Sequence, residues 1–258
     1  MTTLKIEFQE SICNIQFDRP EAKNAITAEV VADFNAALDA CEKSVTVIIL
    51  TGSSEVFCSG LDFGEIGQKK KDDRENSNSG ALYDLWLRLT TGPYVVISHV
   101  KGKTNAGGLG FVAASDIVLA DDNATFGLSE LLFGVFPACV LPFLIRRIGF
   151  QKSNYLTLMT QPFSADYAHT IGLVDARSPQ SDLLLQKHLL RLRPLTKRAI
   201  MHYKMYAHRL HDFVSTVRPL AISANVEIFS DPTNIDRIIN YRDNGIFPWE
   251  SSQCTSQY

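Results

Sequence analysis

No uninterrupted apolar run in these 258 residues is long enough to span a bilayer, and the opening Met1-Thr2-Thr3-Leu4-Lys5 has no apolar signal core. A cytoplasmic location is the expectation. Cysteine is sparse: Cys13, Cys41, Cys58, Cys139 and Cys254 are scattered and odd in number. No pair has the spacing of metal ligands, so no metal is expected, and the set reads as reduced thiols. Cys58 and Cys139 read as small buried apolar residues. A strong charge of either sign is missing too. The formal net charge of -3 argues against a polyanion-binding protein, although a local basic patch is compatible with it. Internal repeats and long linkers are absent. What is present is an ordinary apolar supply, 45% hydrophobic against 21% charged residues, enough to bury a core without staples.

Leu4 to Phe8 and Ser11 to Phe17 alternate apolar and polar, which predicts a half-buried hairpin. Thr27 is placed to cap a helix whose apolar positions, Val30, Val31, Phe34, Ala37, Leu38 and Cys41, recur at helical spacing. Thr46 to Gly52 is a continuous apolar run ending in glycine, the pattern of a strand buried on both faces. Tyr94 to Val100 and Asp116 to Ala120 repeat it. Strands alternating with helices predict an α/β domain with mostly parallel pairing. The stretch from Lys69 to Gly80 has no apolar residue and reads as a mobile surface loop, either purely solvated or a gate over a pocket. Beyond about Asp166 the pattern turns helical, which divides the chain into a core, 1–165, and a helical C-terminal region, 166–258.

Three segments carry candidate chemistry. In Phe57-Cys58-Ser59-Gly60-Leu61-Asp62, Gly60 permits a tight turn with N–H groups pointing outward. Asn105 to Gly110 is a glycine-rich strand-to-helix junction, where unpaired N–H groups and the positive dipole end suit a negative oxygen. It lacks the Lys-Ser/Thr ending of a phosphate loop, and its glycines do not match the dinucleotide pattern. Glu130 is an acid in the apolar stretch Phe126 to Pro137. Burial would raise its pKa toward that of an acid/base group, whereas a glutamate at a helix start is ordinarily solvent-facing.

The order Arg19-Pro20 with Asn24-Ala25, Phe57 to Asp62, Gly107-Gly108 with Asp116-Ile117, Phe126 to Glu130, and Ile171 to Val174 resembles the enoyl-CoA hydratase/isomerase (crotonase) superfamily. The resemblance extends to a closing Phe247-Pro248-Trp249. It implies a spiral of ββα units with a helical trimerisation region, hence a homotrimer or dimer of trimers. It also implies an acyl thioester on coenzyme A or an acyl carrier protein, with no further cofactor. By resemblance the oxyanion hole maps onto the N–H groups of Leu61 and Gly107, and Glu130 onto an acid/base carboxylate. Lys23, Gly60, Gly108 and Gly110 fall at substrate- or pantetheine-contacting positions.

The departures narrow the reading. Gly110 stands where hydratases carry a second glutamate, which puts ordinary enoyl-CoA hydration in doubt and leaves room for a branched substrate. Together with Tyr83 to Trp86, Thr91 to Tyr94, and Pro137 to Phe143, it resembles the dehydratases of polyketide β-branching cassettes. Those are expected to remove water from 3-hydroxy-3-methylglutaryl–acyl carrier protein, giving the 3-methylglutaconyl thioester. A decarboxylase or double-bond isomerase of the same superfamily, and a non-catalytic carrier-binding scaffold, are the alternatives. Tyr83 is either a supporting donor or a packed aromatic. Lys101, Lys103 and His99 are candidates for the substrate's distal carboxylate. Lys197, Arg198, Lys204 and Arg209 form either a carrier-binding patch or the wet face of a helix.

Overall fold

The computed structural model describes residues 3–62, 64 and 78–251. A six-stranded sheet runs in the order β1 (Leu4–Gln9), β2 (Ile12–Phe17), β3 (Val47–Thr51), β5 (Val95–Val100), β7 (Ile117–Ala120) and β10 (Ala176–Arg177). All its pairings are parallel except β1 with β2. A four-stranded sheet takes β4 (Val56–Cys58), β6 (Lys103–Asn105), β8 (Thr125–Gly127) and β9 (Phe163–Ser164). Successive strands therefore alternate between sheets, β3 then β4, β5 then β6, β7 then β8. This is the expected spiral of ββα turns.

Local rules explain the elements. Thr27 accepts a hydrogen bond from Val30 N at the start of α1 (Ala28–Cys41), and the six apolar residues read from the periodicity are its buried ones. Val47, Ile49, Ile97 and Leu119 pack on Leu185 and Leu189 of the helix Ser181–Leu192, while Ile48, Leu50 and Val96 face the main core. Those strands are covered on both faces, as continuous apolar runs require. The hairpin departs from expectation in β1, where only Leu4 is buried. Ile6 and Phe8 are exposed because β1 is the sheet's edge.

Most of the stretch 69–80 lies outside the described residues, and with it the proposed loop. Its last three residues instead open the helix Asn78–Thr91. The main sheet does not stop at the expected 165/166 division, because β10 joins it along β7. A third apolar cluster joins Phe133, Val135 and Ala138 to Ile228 and Ile238 of the C-terminal helices. Among the described residues no helix is long and apolar enough to cross a membrane.

Candidate active site

Where the strands of the small sheet end, a cavity of about 1000 Å³ opens between the core and the C-terminal helices. The loop after β4 supplies Leu61. It is held by the segment between β2 and α1. Asn24 donates to Val56 O (2.9 Å) and Phe57 O (3.2 Å), and Arg19 reaches Ala25 O (2.7 Å) and the Asp62 carboxylate (3.4 Å). Ile26 bridges in parallel to Leu61, exchanging bonds with Gly60 O and Asp62 N. The Arg19, Asn24 and Asp62 side chains thus fix a backbone turn, and Asp62 also borders the cavity.

That bridge uses the neighbours of Leu61 and leaves its N–H without an acceptor among the described residues. Gly107, just before the helix Gly108–Ala114, likewise has an N–H without an acceptor there. The two segments touch: a Cβ built on Gly60 would lie 3.2 Å from Gly107 N, and one on Gly107 would lie 3.8 Å from Leu61 N. Gly60 at φ +94° and Ala106 at φ +49° make the turns that bring them together. Both Leu61 and Gly107 line the cavity. Two free donors converging on one space can hold a negative oxygen.

Glu130 opens the short helix Glu130–Phe133 and also lines the cavity. Its Oε2 is buried with no hydrogen-bond partner among the described residues. Desolvation pushes its pKa up to about 7, against the opposing pull of the Glu130 and Ser129 backbone N–H groups. Beside it, Asn105 Nδ2 donates to Ser129 Oγ at 3.0 Å, and both residues border the cavity. Neither Asn105 nor Ser129 was singled out as a functional residue from the sequence, although both stand within the motifs that were.

Several expected site residues are placed elsewhere. The Tyr83 hydroxyl donates to Val214 O at 2.6 Å, and its fully buried ring packs on Phe143 with centroids 4.9 Å apart. Tyr83 is a packed aromatic, not a donor in the cavity. Gly60 and Gly108 serve close backbone approach and do not line the cavity; a Cβ on Gly108 would meet Cys58 O at 2.5 Å. Gly110 leaves no room for substrate: a Cβ there would sit 2.2 Å from the Trp86 indole, which fills the space. Lys23 is exposed at the cavity's border, in the left-handed region at φ +51°.

None of the three candidates for a distal carboxylate reaches the cavity. Lys101 pairs with Asp182 (2.8 Å), Lys103 is exposed on β6, and burial lowers the His99 pKa to about 4, so its ring is neutral. In the basic helix, Lys204 turns inward to Asp116 (2.7 Å), Leu89 O and Tyr94 O. Lys197 donates to Val45 O at 2.6 Å. Only Arg198 and Arg209 of that set are exposed. All four described cysteines are buried and free.

The chain belongs to the enoyl-CoA hydratase/isomerase family, whose model matches residues 7–252. It is an enzyme of the hydro-lyase kind. It is 55% identical over 250 residues, 96% of either chain, to the bacillaene synthase dehydratase PksH of Bacillus subtilis (strain 168). The crystal structure of pksH from Bacillus subtilis superposes with a TM-score of 0.91 at 53% identity, covering 95% of this chain and 99% of that one. A 2,3-dehydroadipyl-CoA hydratase of Escherichia coli (strain K12) is 29% identical over 72% of both chains.

Proposed function

We propose that the enzyme dehydrates 3-hydroxy-3-methylglutaryl–acyl carrier protein to the 3-methylglutaconyl thioester, as a step of polyketide β-branching. The observation that carries this reading is a buried carboxyl oxygen without a partner among the described residues, Glu130 Oε2, on a residue lining a cavity that also presents the free N–H groups of Leu61 and Gly107. The likeness to a bacillaene synthase dehydratase supports the polyketide setting and an acyl carrier protein as partner.

The α-proton of a thioester is weakly acidic, and its loss puts charge on the carbonyl oxygen. The Leu61 and Gly107 N–H groups receive that oxygen, an effect worth about 2.7–4 kcal/mol per donor in comparable sites. Ionised Glu130 takes the α-proton; with a pKa near 7 it is poised to accept it and to give it back. The enolate then collapses, the bond from the β-carbon to its hydroxyl breaks, and the departing hydroxide takes the proton from Glu130 and leaves as water. One carboxyl returns to its starting state, so a second acid is unnecessary for a tertiary hydroxyl leaving from an enolate. Lys23 at the cavity's border is the candidate contact for the pantetheine arm.

The test is mass spectrometry of the acyl carrier after incubation with the enzyme. Loss of one water supports the reading. Loss of carbon dioxide from a methylglutaconyl carrier would assign a decarboxylase instead, and a carrier that binds and stays unchanged would assign a scaffold.

A further inference from the structure

Trp86 is 1% exposed, and its Nε1–H has no acceptor among the described residues. A buried donor without a partner is costly, and native folds keep few of them. The ring cannot turn away to find one. Phe111 and Phe143 meet it edge-on, at centroid distances of 5.9 and 5.7 Å, and Gly110 lies against its six-membered ring. Yet Trp86 lines the same cavity as Glu130, Leu61 and Gly107. Beyond the two backbone N–H groups, two residues that line the cavity thus carry a buried side-chain atom without a partner among the described residues, an indole donor and a carboxyl oxygen. A ligand that brings an acceptor oxygen for the first and a proton for the second satisfies both. Indole N–H only donates and stays neutral. It suits a hydroxyl or carboxylate oxygen and carries no proton of its own through the reaction.

We propose that the Trp86 Nε1–H is a substrate-binding donor that takes an oxygen of the acyl chain beyond the thioester carbonyl, either the β-hydroxyl or the terminal carboxylate. This rests on the acyl-thioester reading given above. Gly110 then has a definite part: it lets the indole occupy the wall where a side chain at 110 would otherwise lie. The wall offers a neutral donor, which attracts an oxygen-bearing branch that a second carboxylate would repel.

The test replaces Trp86 by β-(3-benzothienyl)alanine, which keeps the bicyclic shape and puts sulfur in place of N–H. kcat/KM for the hydroxymethylglutaryl carrier should fall about tenfold, while Tm stays level or rises because the free protein loses an unsatisfied donor. A folded variant with unchanged kcat/KM overturns the proposal. A second measurement needs binding only. The chain has two tryptophans, so 15N-indole spectra of the protein and of a Trp249→Phe variant identify the Trp86 signal. Saturation with the methylglutaconyl carrier (carboxylate, no hydroxyl) or a 3-hydroxy-3-methylbutyryl carrier (hydroxyl, no carboxylate) should move the indole proton downfield. Movement with the first assigns the carboxylate and movement with the second the hydroxyl; movement with neither overturns the proposal. A wild type that binds these carriers, shifts the indole and fails to dehydrate would overturn the function reading alone.

Discussion

Asn105 Nδ2 donates to Ser129 Oγ across 3.0 Å, and this bond ties together the ends of the two strands that deliver the catalytic candidates. Strand β6 ends at Asn105, two residues before Gly107, and its neighbour β8 ends at Gly127, three residues before Glu130. Strand pairing sets the coarse spacing of donor and carboxyl, and the side-chain bond sets the fine one. Ser129→Ala should therefore lower kcat several-fold with little change in KM. Steady-state kinetics on the hydroxymethylglutaryl carrier checks it, and an unchanged kcat would show that the strands alone suffice.

Glu130→Gln should reduce dehydration by at least about 100-fold, the lower range for a positioned acid/base group. Single-turnover measurement on folded protein decides it. Near wild-type turnover would leave Glu130 only a structural role.

The same carboxyl predicts two pH dependences. As a base it works ionised, and its pKa is raised to about 7. kcat/KM should rise with pH through that value and level off above it. Stability runs the other way. A carboxyl whose pKa is raised by folding favours the fold below its unfolded pKa, near the ordinary 4.5, and loses that contribution as pH rises through about 7. Glu130→Gln should thus gain in Tm relative to wild type between pH 5 and 8, by calorimetry, with the gap closing at lower pH.

Gly107 sits at φ -53°, a value proline accepts, so Gly107→Pro removes the N–H at a tolerable backbone angle. Activity should drop about 10²–10³-fold, the loss seen when one oxyanion donor is deleted. Gly107→Ala is the control: its Cβ would be tight against the terminal methyl of Ile26, at 3.2 Å, with Gly60 Cα (3.6 Å) and Leu61 N (3.8 Å) at ordinary contact distance, and the N–H remains. Circular dichroism must show both variants folded. An active proline variant would remove Gly107 from the oxyanion assignment.

Gly110→Ala should destabilise by about 1–3 kcal/mol, the usual range for overpacking, because its Cβ would fall inside the Trp86 ring's contact distance. Urea denaturation measures this. If activity falls further than stability accounts for, displacement of the indole is the direct cause.

Much of the architecture is legible in the residues. The cap at Thr27, the face of α1 and the doubly covered strands follow from periodicity and capping chemistry alone. Leu61, Gly107 and Glu130 emerge from the ordered motifs, and they converge on one cavity. What stayed hidden depends on contacts between distant segments. Tyr83 meets its acceptor 131 residues away, and Lys204 meets Asp116 at a separation of 88. A partial signal did exist for Lys204: it shares a helix face with Lys197 and buried Ile200, at spacings of three, four and seven. No pattern along the chain discloses that Trp86 fills the place of a side chain at 110.

The C-terminal region walls the cavity with Phe229, Ile238 and Tyr241 from its helices and Phe247 from the segment that follows them. Residues 3–177 hold every described strand of both sheets, the paired N–H groups and Glu130. The wall that closes over them comes from residues 225–247. The reacting groups and their shelter from water are thus encoded in separate stretches of the chain, and an enolate formed at Leu61 and Gly107 is only as well protected as the packing between the two.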